Sequence, residues 1–468
     1  MLYTALAIVA ALLPLALAAW SPPFIGTSYG TRFVPFELLG LTGGALWLGI
    51  AVREWRRRAP AGAAALLEAA VPLALALHFL VLTSEYAERR FDYDCYEYAG
   101  RALLAGQNPW QVGLIYLYPP LTAKALAAAH QGVAALSAAL GWSAARDDVW
   151  ERVFYLYQCA QLGALLAAYF LLLRLARGME LRAAWLPVLV GALLLFDNAV
   201  FRTLRHGQLN LWVLDLALVA LLCATRAPWL AGLALALAGH VKLYPLLLAL
   251  PLALRRRLRA LGWSALWLVG IALLLADFGR DLQLWRWYAD FMREQFPGEI
   301  ALRNTSAHAI VYNTTLLLTG APRAVVPIAT LASAGFGLWY LARATLRERA
   351  LRAVRGDAAA DPADDARALA AHGADALAFA LLVSPSVWEH HYVMALPLAL
   401  WAVALRGVER PGLVALGIFL MLGMPTFDLF PLSLHRLAGM LLLLALTPAR
   451  RLDPSARAAV DARPLGAA

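Results

Sequence analysis

Apolar residues recur along this chain in runs of about 17 to 25, the length that an α-helix needs to cross a membrane. Short polar segments separate most of the runs. Twelve membrane-spanning helices are predicted, at 3–19, 34–52, 66–83, 152–174, 183–200, 209–224, 260–277, 321–345, 374–387, 391–406, 411–425 and 430–447. The pattern therefore predicts an all-α polytopic membrane protein.

Two further apolar segments do not fit simple crossings. The segment 121–140 is expected to lie along the outer membrane surface, because a crossing there would place the basic segments 174–182 and 255–259 outside. The segment 228–254 has basic residues at both ends and is too short for two crossings of about 20 residues each. We expect it to form a re-entrant pair.

The basic residues predict the orientation of the helices. The second span ends in Arg53-Glu54-Trp55-Arg56-Arg57-Arg58, and basic segments at the ends of spans stay in the cytoplasm. The predicted organisation has helices at 1–83, a large external loop at 84–151, helices at 152–277, a second external loop at 278–320, helices at 321–447 with a cytoplasmic loop at 347–375, and a cytoplasmic tail at 448–468. The loop at 347–375 and the tail are expected to be solvated linkers. The protein is expected to lie in the inner membrane, with its functional site facing outside.

The composition agrees with this class, since 62% of the residues are hydrophobic and only 15% are charged. A net charge of +10 raises the question of nucleic-acid binding, but the charges lie in short loops where they set orientation, so no nucleic-acid partner is expected. The three cysteines, Cys95, Cys159 and Cys223, are widely spaced. They predict neither a disulfide framework nor a thiolate metal site.

The first external loop carries carboxylates followed by aromatic residues. Asp92 and Asp94 flank Tyr93, and Tyr96, Trp110 and Tyr118 follow. A carboxylate near a hydroxyl can act as a general base, two carboxylates can hold Mg²⁺ or Mn²⁺, and aromatic rings can bind the face of a sugar. Alternatively, the acids only solvate the loop and the aromatic residues form an interfacial belt.

Cationic residues occur at the predicted outer ends of spans and inside the re-entrant segment. Arg205, with Gln208 and Asn210 beside it, lies at a helix junction that suits a phosphate, or else its side chain extends to lipid headgroups. Lys242, about midway through the re-entrant segment, needs an anion, an aqueous pocket or a structural partner. Both positions are therefore candidates for binding a lipid phosphate.

Adjacent histidines occupy the outer membrane face in this topology. His390 and His391 follow Trp388, and imidazole groups there can donate to a phosphate or carry a proton. Their adjacency is a weak indication of metal binding, since helical ligand pairs usually stand four residues apart. For His308, in the second external loop, solvation is the favoured interpretation.

Taken together, these residues resemble glycosyltransferase family 87, a family of polyprenyl-phosphate-dependent transferases in the GT-C membrane superfamily. The matching motifs are Asp92 with Tyr96, Ala102-Leu103-Leu104-Ala105-Gly106-Gln107-Asn108-Pro109, Tyr118-Pro119-Pro120, Gly207-Gln208-Leu209-Asn210, Lys242-Leu243-Tyr244-Pro245, and Ser384-Pro385 followed by Trp388-Glu389-His390-His391. The resemblance implies a GT-C bundle with surface helices in the first external loop, and transfer of a sugar, mannose in the nearest case, from a polyprenyl-phosphate donor to a glycolipid or glycan acceptor.

The resemblance also implies roles for individual residues. Asp92 is expected to be the base of an inverting displacement, with Asp94 as the alternative. The donor phosphate is expected to bind Lys242, Arg205, His390 and His391, and substrate to contact Tyr96, Trp110, Tyr118, Gln208, Asn210, Tyr244 and Trp388. No metal or other cofactor is expected. Two departures, Trp110 where the family often has tyrosine and the additional Asp94, leave the acceptor and the choice of base open.

Three other functions remain open at this point. A transporter or lipid flippase would also use an intramembrane lysine, but alternating access predicts comparable features on the cytoplasmic side. A membrane scaffold would tolerate neutral replacements of Asp92 and Lys242. A transferase of pentoses or aminosugars from the same superfamily is the nearest enzymatic alternative.

Overall fold

A computed structural model describes residues 70–79, 91–111, 116–143, 145–181, 185–295, 304–320, 324–355, 362–407, 409–425 and 430–449. Every regular element in these ranges is a helix, which agrees with the predicted all-α class. The predicted spans at 3–19 and 34–52 lie outside the described residues, as does nearly all of the predicted tail.

The helices of the described ranges are numbered in chain order. They are α1 (Ala70–Phe79), α2 (Phe91–Leu104), α3 (Pro120–Ala139), α4 (Arg146–Gly178), α5 (Leu186–Leu195), α6 (Asn198–His206), α7 (Asn210–Cys223), α8 (Pro228–Val241), α9 (Ala249–Leu254), α10 (Leu258–Leu275), α11 (Gln283–Gln295), α12 (Ala307–Thr319), α13 (Val325–Arg355), α14 (Pro362–Val383), α15 (Leu396–Arg406), α16 (Pro411–Ile418) and α17 (His435–Leu446). Tighter 3₁₀ turns precede α9 at Tyr244–Leu248 and α15 at Glu389–Ala395.

Four of these helices, α4, α10, α13 and α14, are long and apolar enough to cross a membrane. The bent pair of α5 and α6, with 53° between the two axes, adds a fifth if it forms one span. The other apolar helices in the described ranges, counted together with the tight turns that adjoin them, have 10–17 residues. The expected total of twelve crossings therefore stays a prediction.

The outer helices expose apolar faces that water would not tolerate. In the most apolar 18-residue windows of α10 and α13, only 22% and 17% of the residues are buried, against 83% in α14. Leu331 and Leu338 on α13 are 72% and 67% exposed. Such continuous apolar surface is stable against lipid, so the chain is a multi-pass membrane protein with α14 and α15 at its centre.

The first predicted external loop contains α2 and α3. Helix α3 corresponds closely to the segment 121–140 and is not apolar enough to be a membrane span. Its inner face buries Ala123 and Leu126 against α2 and α4. Its expected position along the outer membrane surface stays a prediction.

The predicted re-entrant segment is two short helical pieces with a break at Lys242. Helix α8 ends at Val241, and Lys242 is extended, with φ −147° and ψ 137°. The 3₁₀ turn and α9 then continue to Leu254. Neither piece is long enough to cross a membrane alone, and the break releases the Lys242 side chain from the helical repeat.

The expectation of a solvated linker at 347–375 was wrong for its described parts. Helix α13 continues to Arg355, and α14 begins at Pro362. Arg347 and Asp375 are 1% and 0% exposed, and the Nη1 atom of Arg347 lies 2.8 Å from Oδ2 of Asp375. Because the charges of this segment pair with each other, they can be buried, which a local count of polar residues does not detect.

Candidate functional site

Helix α2 places the predicted acid in the site. Asp92 and Asp94 lie in its first turn, where negative charge interacts favourably with the helix dipole. Side chains two residues apart on a helix point about 200° apart, so the two carboxylates diverge, whereas Asp92 and Tyr96 share a face. The two acids are close in the sequence, but their side chains point in different directions from the helix.

Asp92 is the acid that meets the other predicted site residues. It accepts a side-chain hydrogen bond from Gln208, and the charge of Lys242 acts on it. Burial raises the pKa of Asp92 to about 6, an effect that the Gln208 hydrogen bond and Lys242 partly oppose and that Glu389 and Asp94 reinforce. Asp92 is therefore a carboxylate whose proton exchanges near neutral pH.

A glycine turn positions Gln208 and Asn210. Gly207 ends α6 in the left-handed conformation, with φ +66°, and the N–H of Gln208 donates to the carbonyl of Thr203 at 2.8 Å. The chain then enters α7 at Asn210. This turn directs the side chains of Gln208 and Asn210 to the same site.

The turn is held from α4 by residues that the sequence did not indicate. The Nε2 group of Gln161 donates to the carbonyl of Gln208 at 2.8 Å and to the hydroxyl of Tyr157 at 2.6 Å. Tyr157 in turn donates to the carbonyl of Gly207. Both side chains lie within a predicted membrane span, and their polar contacts with a distant turn leave no local sequence signal.

The Lys242 side chain lies in contact with the side chains of both Asn210 and His391. The Nζ atom of Lys242 lies 2.7 Å from Oδ1 of Asn210 and 2.8 Å from Nε2 of His391. Asn210 also donates through Nδ2 to the carbonyl of His390 at 3.2 Å. Three elements far apart in the chain, α7, the break after α8 and the 3₁₀ turn before α15, thus meet at one cation.

The orientation of His391 is set by its own loop. The backbone N–H of Trp388 donates to Nδ1 of His391 at 2.9 Å, so Nε2 carries the proton of the neutral ring and faces Lys242. The ring centre of Tyr244 lies 5.9 Å from that of His391. Trp388 thus contacts the site through its backbone N–H, which bonds to His391.

Tyr118 connects the acid to the cation. Its hydroxyl donates to Oε1 of Gln208 at 2.5 Å and accepts from the hydroxyl of Tyr96 at 2.8 Å. Its ring centre lies 5.0 Å from the Nζ atom of Lys242. Since the Gln208 side chain also acts on Asp92, Tyr118 links the acid to the cation.

Arg205 is also buried, at 5% exposure. The charges of Lys242 and Arg202 act on His390. Arg202 in turn approaches Glu389 at 3.7 Å.

Trp110 packs among aromatic residues, and its indole N–H donates to the carbonyl of Tyr118 at 3.2 Å. Its partners in that cluster are Tyr116, Tyr288 and Phe291. Its contact with the site is therefore through the backbone that carries Tyr118.

The expectation that His308 is solvated was wrong. His308 is 7% exposed, at the start of α12. The segment before it, Asn304 to Ser306, is also buried and lies against the loop that leads to His391. A polar segment without a hydrophobic period gave no indication of this burial.

The carboxylates gather no metal-binding group within the part of the chain that the structure describes. There, no three histidine, cysteine, aspartate or glutamate side chains come close enough to hold a metal ion together. The magnesium interpretation of Asp92 and Asp94 thus lacks a third ligand among those residues.

Comparison with known proteins finds one matching family and two curated relatives. The model of glycosyltransferase family 87 matches residues 116–385, which is more than half of the 468 residues. A polyprenol-phosphate-mannose-dependent alpha-(1-2)-phosphatidylinositol pentamannoside mannosyltransferase of Mycobacterium tuberculosis is 28% identical over 267 residues, 56% of either chain. A polyprenol-phosphate-mannose-dependent alpha-(1-2)-phosphatidylinositol mannoside mannosyltransferase of Mycolicibacterium smegmatis is 28% identical over 370 residues, 72% of this chain and 76% of the relative.

This chain therefore spans little more than half the length of the first of these relatives and about three quarters of the second. No solved structure matches it. The extent of the family match is nevertheless sufficient to classify the protein: it belongs to glycosyltransferase family 87.

Proposed function

We propose that this protein transfers mannose from a polyprenyl-phosphate-mannose donor to a lipid or glycan acceptor at the external face of the inner membrane. The observation that carries the proposal is the position of Asp92 and Lys242 on two sides of Tyr118, close enough for their charges to interact. A proton acceptor and a phosphate-binding cation thus belong to one site. The names of both relatives favour mannose as the sugar and a phosphatidylinositol mannoside as the acceptor.

The donor phosphate binds at Lys242 and His391 in this proposal. With Nδ1 of His391 occupied by the N–H of Trp388, the neutral ring directs its Nε2 proton toward the Lys242 ammonium. The Nε2–H group and the ammonium then lie side by side, with their nitrogens 2.8 Å apart, and a phosphate oxygen bound beside them would accept from both. Asn210 holds the lysine in place through its Oδ1 atom.

Asp92 acts as the general base. Its pKa of about 6 leaves it ionised at neutral pH while keeping it basic enough to take a proton from an acceptor hydroxyl. Asp94 directs its side chain elsewhere on α2, which supports Asp92 over the alternative. Gln208 orients the carboxylate through a hydrogen bond, and Tyr118 holds Gln208 by donating to its Oε1 atom.

The reaction is a single displacement with inversion at the sugar carbon. The acceptor oxygen bonds to that carbon, its proton passes to Asp92, and the bond from the carbon to the phosphate oxygen breaks. The polyprenyl phosphate leaves with the electron pair of that bond, and Lys242 and His391 stabilise the negative charge that develops there. A β-linked donor then gives an α-linked product.

No step in this scheme needs a metal ion or other cofactor. The leaving group is a phosphate monoester, and protein cations can neutralise it directly. Transfer is therefore expected to continue in the presence of EDTA.

Transfer of radiolabelled mannose tests the proposal. Purified protein is incubated with synthetic polyprenyl-phosphate-mannose and a membrane lipid extract, in parallel with Asp92→Asn and with EDTA. Asp94→Asn is the matched control, since it removes a carboxylate two residues away on the same helix. The proposal predicts transfer by the unmodified protein, by Asp94→Asn and with EDTA, and loss of transfer in Asp92→Asn.

Other outcomes would redirect the proposal. Loss in Asp94→Asn with activity in Asp92→Asn would exchange the two acids. Transfer only from pentose or aminosugar donors would keep the reaction and change the sugar. Movement of labelled donor across a vesicle membrane without any transfer would indicate a flippase.

A further inference from the structure

The loop that carries His391 is held by a segment from the second predicted external region. Asn304, Thr305 and Ser306 are 1%, 6% and 0% exposed. We refer to the first two of these residues, Asn304 and Thr305, as the clamp segment. They contact the site loop at Val387, which is 1% exposed.

The clamp segment fixes both polar atoms of Val387. The N–H of Val387 donates to Oδ1 of Asn304 at 2.9 Å, and the N–H of Thr305 donates to the carbonyl of Val387 at 2.8 Å. The Thr305 hydroxyl also reaches that carbonyl, at 3.3 Å, and lies 2.9 Å from the hydroxyl of Tyr392. One backbone hydrogen bond and two side-chain hydrogen bonds thus hold Val387.

The next peptide unit is the one that orients the imidazole. Trp388 follows Val387 directly, and its N–H donates to Nδ1 of His391, whose Nε2 faces Lys242. That peptide N–H belongs to the same amide as the clamped Val387 carbonyl. Rotation of this amide would remove the hydrogen bond to Nδ1 and release the ring from its position beside Lys242.

We infer that Asn304 and Thr305 are positioning residues, which orient His391 toward the donor phosphate by fixing the two peptide groups on either side of Val387. This inference rests on the proposed function for its catalytic consequence. The clamp itself is independent of the substrate. An error of about 1 Å in the position of a group in the site can cost about a hundredfold in rate, so the clamp matters despite its distance from the chemistry.

The test combines hydrogen exchange with kinetics on the full-length protein. In Asn304→Ala, the Val387 amide loses its acceptor, and we expect its exchange to accelerate at least about tenfold. We expect kcat to fall by about tenfold to a hundredfold. The same substitution in a His391→Ala background should reduce kcat by less than about threefold, because the residue acts through His391.

Matched variants separate positioning from general destabilisation. Ser306→Ala removes the side chain that caps α12 by accepting from the N–H of Ala309, so it should lower Tm while leaving exchange at Val387 and kcat unchanged. Thr305→Val removes the reinforcing hydroxyl and should lower kcat, and Thr305→Ser should restore it. These two variants keep the inference testable if Asn304→Ala does not fold.

Two results would overturn the inference. One is unchanged exchange at Val387 in Asn304→Ala, and the other is an equal loss of kcat with and without His391. If the unmodified protein transfers no sugar from any donor, the proposed function fails, while the exchange measurement still decides whether the clamp exists.

Discussion

The Nζ atom of Lys242 lies 5.0 Å from the centre of the Tyr118 ring, and the hydroxyl of the same tyrosine donates to Gln208 on the side of Asp92. One aromatic side chain thus contacts the groups assigned to the two ends of the reaction. Its ring acts on the cation and its hydroxyl acts on the acid. Substitutions can separate these two effects.

Tyr118→Phe keeps the ring and removes the hydroxyl. The lost hydrogen bond to Gln208 weakens the orientation of Asp92, and we expect kcat/KM to fall about tenfold, the equivalent of about 1.4 kcal/mol. Tyr118→Leu also removes the ring and should lower kcat/KM by about a further tenfold. Steady-state kinetics with the mannose donor provide the measurement.

Tyr116→Phe is the control for these variants. Tyr116 is also buried, but its hydroxyl contacts neighbours in its own segment, donating to the carbonyl of Pro119 and accepting from the N–H of Ala123, both at 3.0 Å. Its loss should lower Tm with little effect on kcat/KM. Equal kinetic losses in Tyr118→Phe and Tyr116→Phe would contradict the assigned role of Tyr118.

The pH dependence of transfer follows from Asp92. The base must be ionised, and the pKa of Asp92 is about 6, so kcat/KM should rise with pH through about 6 and level off above about 7. Measurement of kcat/KM between pH 5 and 8 checks this. A profile that is flat over that range would exclude Asp92 as the group that limits the rate.

Asp92→Asn should stabilise the protein at neutral pH while abolishing transfer. The pKa of Asp92 is raised by folding, from 3.8 to about 6, so its ionisation opposes folding. The penalty is absent below about pH 4, grows between pH 4 and 6, and is complete above pH 6. We expect a gain on the order of 1–3 kcal/mol at pH 8 and none at pH 4, measured as Tm in detergent. A lower Tm for the variant at pH 8 would contradict this.

Much of the site could be predicted from the sequence because its residues lie beside recognisable breaks. Asp92 begins a helix, Gly207 ends one, and Lys242 stands where the helical repeat of α8 stops. Polar residues at such breaks are conspicuous in an apolar chain. These residues come together because the few helix ends that carry them pack against one another.

The contacts that hold these residues could not be predicted in the same way. Gln161 and Asn304 act on residues 47 and 83 positions away, through single hydrogen bonds to backbone atoms of a turn and a loop. A backbone partner leaves no complementary residue type in the sequence. Buried charges such as Arg347 and Asp375 were misassigned to solvent for a related reason, since each needs the other, 28 positions away, to be buried.

The buried ion pairs of Asp375 predict a large effect of its substitution on stability. Asp375 is 0% exposed and accepts from Arg343 at 2.7 and 3.1 Å while pairing with Arg347 at 2.8 Å. Asp375→Asn leaves two buried guanidinium groups without their counter-charge, and a loss on the order of 3–5 kcal/mol is expected. Thermal unfolding in detergent measures it.

Glu409→Gln is the matched control for Asp375→Asn. Glu409 pairs with Arg406 near the surface, with 37% of its side chain exposed. Removal of its charge should change stability by less than about 1 kcal/mol. Similar effects of the two substitutions would mean that burial of the Asp375 pair does not determine its contribution.

Gly207 and Gly106 offer a matched test of how tightly the site turn is packed. Both have positive φ, +66° and +69°, so alanine at either position incurs the conformational cost of the left-handed region, about 1–2 kcal/mol. A Cβ at Gly207 would also lie 3.1 Å from Cβ of Tyr93, whereas a Cβ at Gly106 would meet no atom within 4 Å. Gly207→Ala should therefore lower Tm more than Gly106→Ala. It should also lower kcat, because the turn that it displaces carries Gln208, and Gly106→Ala should leave kcat unchanged. Equal losses of Tm would show that Tyr93 moves aside freely and that the turn tolerates a side chain.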